Sequence, residues 1–277
     1  MGQLIDSVTV FEDGIAGGAF ETLAAVTDDT LQVRWFGPNT RVRILEWWGG
    51  NNATLCQFSL RSPDMHDNTR GLAAAAMFNP TLSGADGNPQ LFLGGRMSQP
   101  LRPTETIVAE VNGTAADDVT TTYLTYYEGP EVPSARLVSW AEIEHRIENL
   151  VGIQVSPSPA AATSTYGTAE VLSTDDDRLH ANKDYALIGY QTTLPFTTLA
   201  IDGPETQNYR IAMPGHWDER ITSGWFRDMS EDLGLPCIPV FNSNNRGAIN
   251  VRAATAGGGG APVIRLQFAE LAGLATL

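Results

Sequence analysis

The sequence predicts an all-β chain of two tandem β-sandwich domains joined by a short α-helix. Three observations carry this. Runs that alternate apolar and polar residues recur in both halves of the 277 residues, separated by turns drawn from 27 Gly and 16 Pro. One segment near the middle, 139–152, carries helix signals from start to stop. The two halves also end alike: Ile249, Leu266, Phe268 and Glu270 follow Ile107, Leu124, Tyr126 and Glu128 at one constant spacing, as a structural duplication requires.

Residues 1–29 mix short apolar groups (Val8, Val10, Phe11) with Gly and Ala. They read either as an extended arm lying across a neighbour or as a first hairpin. The first sandwich is assigned to 30–136. Leu31, Val33 and Trp35 alternate, Gly37-Pro38-Asn39 turns, and Val42, Ile44 and Trp47 resume the alternation. Further strands are expected at 55–60, 91–93, 106–111 and 119–127, while 72–78 reads as strand or short helix. The linker helix is assigned to 137–152. Ser139 is its N-cap, Glu142 completes a capping box, and Val138 with Ile143 forms a hydrophobic staple. Trp140, Ile143, Ile147 and Leu150 recur at helical spacing, and Gly152 closes the segment. The second sandwich, 153–277, repeats the strand pattern at 186–190, 196–201, 209–213, 237–241, 249–253 and 263–268. Between them, Trp225, Phe226, Met229 and Leu233 predict a helix within 222–233.

The balance of 17 basic against 32 acidic residues, net −15, opposes direct nucleic-acid binding, which needs cations to neutralise phosphates. No run of eighteen apolar residues predicts a membrane helix, and the first residues lack the pattern of a signal peptide. Cys56 and Cys237 fall in apolar strand contexts and are expected as buried free thiols.

No catalytic and no cofactor-binding residue is assigned. His66, His145, His180 and His216 are scattered without paired-ligand spacing, and no nucleophile elbow or phosphate loop occurs. Asp175, Asp177 and Asp184 are the candidate calcium ligands, because clustered carboxylates suit that ion; a solvated acidic loop is the simpler account. Asp28-Asp29 and Asp117-Asp118 read as solvated turn residues. Asp64, His66 and Asp67 resemble an acid–base grouping in a polar loop. Trp47, Trp48, Trp217 and Trp225 are residues able to stack on sugars, set against the plainer reading as core or subunit contacts.

Two β halves, each closing on a strand–turn–strand return (106–128 and 248–270), with a joining helix at 139–152 and an arm-like start at 1–30, together resemble the double jelly-roll major capsid proteins of tailless, often membrane-containing, bacterial and archaeal viruses. The resemblance spans most of the chain and is architectural, with no motif behind it. It implies two eight-stranded jelly rolls side by side, a homotrimer of pseudo-sixfold outline, and self-assembly into an icosahedral virion shell without enzymatic activity. Assembly in the host cytoplasm, copies of itself and other virion proteins as partners, and an inner membrane or layer beneath the shell are implied with it. Carbohydrate-binding or appendage proteins built from β-sandwiches, such as a phage receptor-binding spike, are the alternative class, and a glycan-acting enzyme a third.

Overall fold

A computed structural model describes residues 1–12, 18–26, 29–51, 55–63, 65, 72–77, 90–91, 98–113, 119–158, 165–172, 179–192, 198–215, 224–254 and 263–273. Among them the chain is mostly strand, arranged in four antiparallel sheets. The first half contributes β1 (Gly2–Glu12), β2 (Glu21–Thr22), β3 (Ala24–Ala25), β4 (Arg41–Asn51), β5 (Leu55–Arg61), β6 (Leu72–Met77), β7 (Gln90–Leu91), β8 (Gln99–Leu101), β9 (Val108–Asn112) and β10 (Val119–Gly129). The second contributes β11 (Leu137–Val138), β12 (Ile147–Val155), β13 (Glu170–Val171), β14 (Asp184–Thr192), β15 (Thr198–Asp202), β16 (Ile211–Pro214), β17 (Ile238–Asn242), β18 (Asn250–Ala254) and β19 (Ile264–Leu271).

The first half holds the sheets β3-β1-β10-β4-β7, with β8 also on β4, and β2-β9-β5-β6. The second holds β11-β17-β14-β19-β12 and β13-β18-β15-β16. With the short strands β3, β8 and β11 set aside, both halves follow one order. The first strand lies beside the eighth, then the third, then the sixth; the other sheet runs second, seventh, fourth, fifth. Both also carry a bulge on the third strand, where Leu45 of β4 and Ile188 of β14 are left without an opposite residue on β10 and β19.

The constant spacing between the chain ends keeps its phase through β9 and β18, where Ile107, Ala109 and Val111 are buried as Ile249, Val251 and Ala253 are. It loses phase in the last strands. Thr122 meets Thr198 of the second half, so Leu124 and Tyr126 share that outward face. Phe268 instead packs edge-on against Phe241 and Tyr185 inside the second sandwich, and Leu266 alternates with exposed Arg265. A slip of one residue exchanges the faces of a strand, so equal letters at equal spacing point to opposite sides here.

Three expectations change. The linker helix shrinks to Trp140–Ile143, followed by a 3-10 turn at Glu144–Arg146, and Ile147–Val155 is strand β12. The cap is as expected: the Glu142 carboxylate accepts the Ser139 N–H at 2.7 Å. Beyond it, Val151, Ile153 and Val155 are buried in alternation, and pairing with β19 along the strand outweighs a helical spacing that ends on Leu150, which is 65% exposed. Gly2–Glu12 is no arm over a neighbour. It pairs along its whole length with β10 and turns back to β3, nearer the hairpin reading. Residues 31–35 form an isolated bridge, Gln32 to Thr106, rather than a strand, with backbone bonds between Val33 and Glu105 and between Leu31 and Ile107 beside it, and Trp35 is exposed.

The helix expected near 222–233 is present as Trp225–Leu233, ended by Gly234 in the left-handed conformation (φ 64°). Among the described residues no helix is long and apolar enough to cross a membrane.

Candidate functional site: the joint between the halves

The sheet β1-β10-β4 has one face in the first sandwich and the other against the second half. Small hydroxyl side chains line that outer face and link in series. The Trp48 indole N–H donates to the Thr198 hydroxyl at 3.2 Å, Thr198 lies 2.8 Å from the Thr122 hydroxyl, Thr122 lies 2.9 Å from Thr9, and Thr9 lies 2.7 Å from the Tyr166 hydroxyl. An indole N–H can only donate, so Thr198 is the acceptor at that end. Such a chain polarises along its length and fixes the relative register of the halves. The backbone joins in: the Ser7 N–H donates to the Arg210 carbonyl at 2.8 Å, and the Ser7 hydroxyl to the same oxygen at 3.0 Å. At one side of the seam Trp48 meets Trp225 edge-on with ring centres 5.8 Å apart. At another, Phe36 sits edge-on to both Tyr127 (5.3 Å) and Tyr209 (6.3 Å).

Charge is concentrated at one place in this seam, a cleft of about 460 Å³. Arg34 Nε reaches the buried Asp6 carboxylate at 2.7 Å while its guanidinium lies over the Tyr209 ring. Arg210 of the second half reaches Asp29 of the first at 3.0 Å and lies over the Tyr166 ring. Arg252 and Asp202 pair at 3.3 Å on the same wall. The Asp29 carboxylate also accepts the Thr9 N–H at 2.8 Å. Burial pushes the Asp29 carboxyl up to about 7, against the pull of Arg210 and of Thr9, and Asp6 beside it adds to the rise. Burial likewise raises Asp6 in spite of Arg34. Asp29 is therefore no solvated turn residue, as its Asp-Asp context suggests, but a buried partner in an ion pair across the joint.

The connector between the halves is tied into the second one. Arg136 grips Asp184 with two bonds, at 3.0 and 2.8 Å, and Asn242 donates to the same carboxylate at 2.8 Å. Burial works against the charge on Asp184, but these donors outweigh it and hold the carboxyl below its ordinary value. Of the candidate calcium ligands, Asp184 has both oxygens engaged in this way, and Asp175 and Asp177 lie outside the described residues. Asp64, His66 and Asp67 also lie outside them, as does Trp217. Trp47, Trp48 and Trp225 are buried, so they form core and joint rather than an exposed sugar platform. Cys237 is a buried free thiol, pushed up to about 12 by that burial; the side chain of Cys56 lies outside the described residues.

The second half has its own outer face on β12-β19-β14, the counterpart of the face that β1, β10 and β4 bury in the joint. Here it lines an open groove of about 580 Å³ bounded by Leu150, Gly152, Ile188, Arg265 and Gln267. Sequence reasoning missed both the joint and this groove, because their residues come from segments far apart in the chain.

No family model and no curated protein matches the chain. Among solved structures, the PBSX exported protein XepA is 9% identical over 96% of this chain and 86% of its own, with a TM-score of 0.27. The T=1 Penaeus vannamei nodavirus is 12% identical over 98% and 100%, with a TM-score of 0.25. The STIV MCP is 10% identical over 100% of both chains, with a TM-score of 0.24. At these scores the likeness carries no argument about fold or function.

Proposed function

We propose that the chain is a virion structural protein, a major capsid protein of two tandem jelly rolls that self-assembles as trimers into an icosahedral shell and has no catalytic role. The strand order common to both halves, first-eighth-third-sixth over second-seventh-fourth-fifth, supports the jelly-roll reading, since each half folds its eight strands into two facing sheets of four.

One observation carries the assembly. Within the chain, the outer face of β1-β10-β4 is covered by the second half, whose strands β15 and β16 place Thr198, Ala200, Ala212 and Pro214 at one set of paired positions. Those side chains are small, so two sheets approach closely. The corresponding paired positions on β5 and β6 are Gln57, Ser59, Ala73 and Ala75. The matching acceptor face, β12-β19-β14, lies open with Leu150 in water. A second copy offering its β5-β6 sheet to that face repeats the contact already made inside the chain. The contact is head-to-tail, and such contacts generate rings when the rotation closes; three copies then set six sandwiches around one axis.

Native mass measurement and electron microscopy of the purified chain test this. Trimers or shells are expected from the wild type, and folded monomers from Leu150→Asp. A wild type that stays monomeric at every concentration, or a Leu150→Asp chain that assembles equally well, sinks the proposal.

A further inference from the structure

We propose that the joint between the two halves is a proton-responsive contact centred on Asp29, one that tightens as the solution passes from mildly alkaline to mildly acidic. The proposal goes beyond the assembly reading and stands on the chain alone, whatever the chain builds.

Asp29 holds a place that favours its neutral form. Asp6, on β1, is a second buried carboxylate close enough to repel it, and like charges at short range resist joint ionisation. Two arginines face this pair. Arg34 comes from the segment after Asp29 and is committed to Asp6, with about a third of its side chain exposed, and Arg210 comes from the second half. From β10, Tyr123 and Tyr127 present phenols to the same place, and from the second half so do Tyr166 and Tyr209; burial raises the first three, so they stay neutral. Asp202 and Arg252 complete the cleft wall and pair with each other. The cleft is open to water, so a proton has a path to Asp29. When Asp29 is neutral the Arg210 contact remains a hydrogen bond and the Thr9 N–H keeps its acceptor, while the cost of burying two adjacent anions disappears.

The sign follows from linkage. A carboxyl raised from 3.8 to about 7 in the folded chain binds its proton more tightly folded than unfolded. Its stabilising contribution is complete below the unfolded value and is lost as pH rises through the folded one. Between those values the unfolding constant attributable to Asp29 falls by up to about tenfold per pH unit of acidification.

Urea unfolding of the wild type and of Asp29→Asn across about pH 4.5 to 8 reads this directly. The net charge of −15 also favours acid, through general self-repulsion, so the readout is the difference between the two proteins. The wild type is expected to gain stability over the variant as pH falls. Equal slopes overturn the proposal, as does loss of the slope in Asp6→Asn with retention in Asp29→Asn. If Asp29→Asn does not fold, proton uptake on refolding of the wild type near pH 6 decides: about one extra proton per chain supports the proposal, and none overturns it.

Discussion

The hydroxyls of Thr9 and Tyr166 lie 2.7 Å apart, one on the first strand of the chain and the other in the second half. This contact is one link of the series that continues through Thr122 and Thr198 to Trp48. Thr122 occupies the middle, so its loss strands hydroxyls on both sides. Thr122→Val keeps the shape and removes the polar link. It is expected to cost about 1–3 kcal/mol in urea unfolding, with hydrogen exchange speeding at Thr9 and Thr198 before the rest of either sandwich.

Tyr126 gives the opposite result. Its ring is fully buried at the joint, and its hydroxyl has no hydrogen-bond partner among the described residues. Removing a buried, unpaired polar group is neutral or favourable. Tyr126→Phe is therefore expected to leave the melting temperature unchanged or to raise stability by up to about 1 kcal/mol.

Gly2 opens β1 against the turn that follows β10. A Cβ there falls on the Val132 carbonyl oxygen, a backbone atom that has no rotamer to give. Gly2→Ala is expected to cost about 1–3 kcal/mol by thermal unfolding. Gly152→Ala, whose Cβ meets only the flexible Arg265 side chain, serves as the mild control.

Asp184 controls the acid limb. Because its folded value is lowered by Arg136 and Asn242, its contribution is present above the ordinary carboxyl range and is lost as pH falls through the folded value. Asp184→Asn is expected to lose about 1 kcal/mol near neutrality, solvent screening included, and to lose less on acidification than the wild type does. Denaturation series at pH 3 and pH 7 separate the two.

Local chemistry was readable in the sequence; long-range placement was not. Strands β4, β10, β14 and β15 follow short runs of apolar, branched and aromatic residues that a local window displays, and the helix at Trp225–Leu233 follows its own period. The segment after Ser139 shows where such reasoning fails. Trp140, Ile143, Ile147 and Leu150 keep helical spacing, but the partner strand β19 takes Ile147–Val155 into the sheet, and a partner more than a hundred residues away leaves no local mark. The charged cluster is hidden for the same reason. Asp6, Asp29 and Arg34 share no motif with Arg210, and only the fold brings them together.

The pairing of Gly2 with Gly129 and of Glu12 with Val119 has a cost during synthesis. This eleven-residue, largely buried strand leaves the ribosome about a hundred residues before β10 and waits, on the order of ten seconds, for the ladder partner it needs. During that interval its open edges can recruit the same segment of another nascent chain. Yield in a cell therefore depends on how crowded the polysome is and on which chaperone reaches β1 while it is unpaired, before any question of how the finished molecule is used.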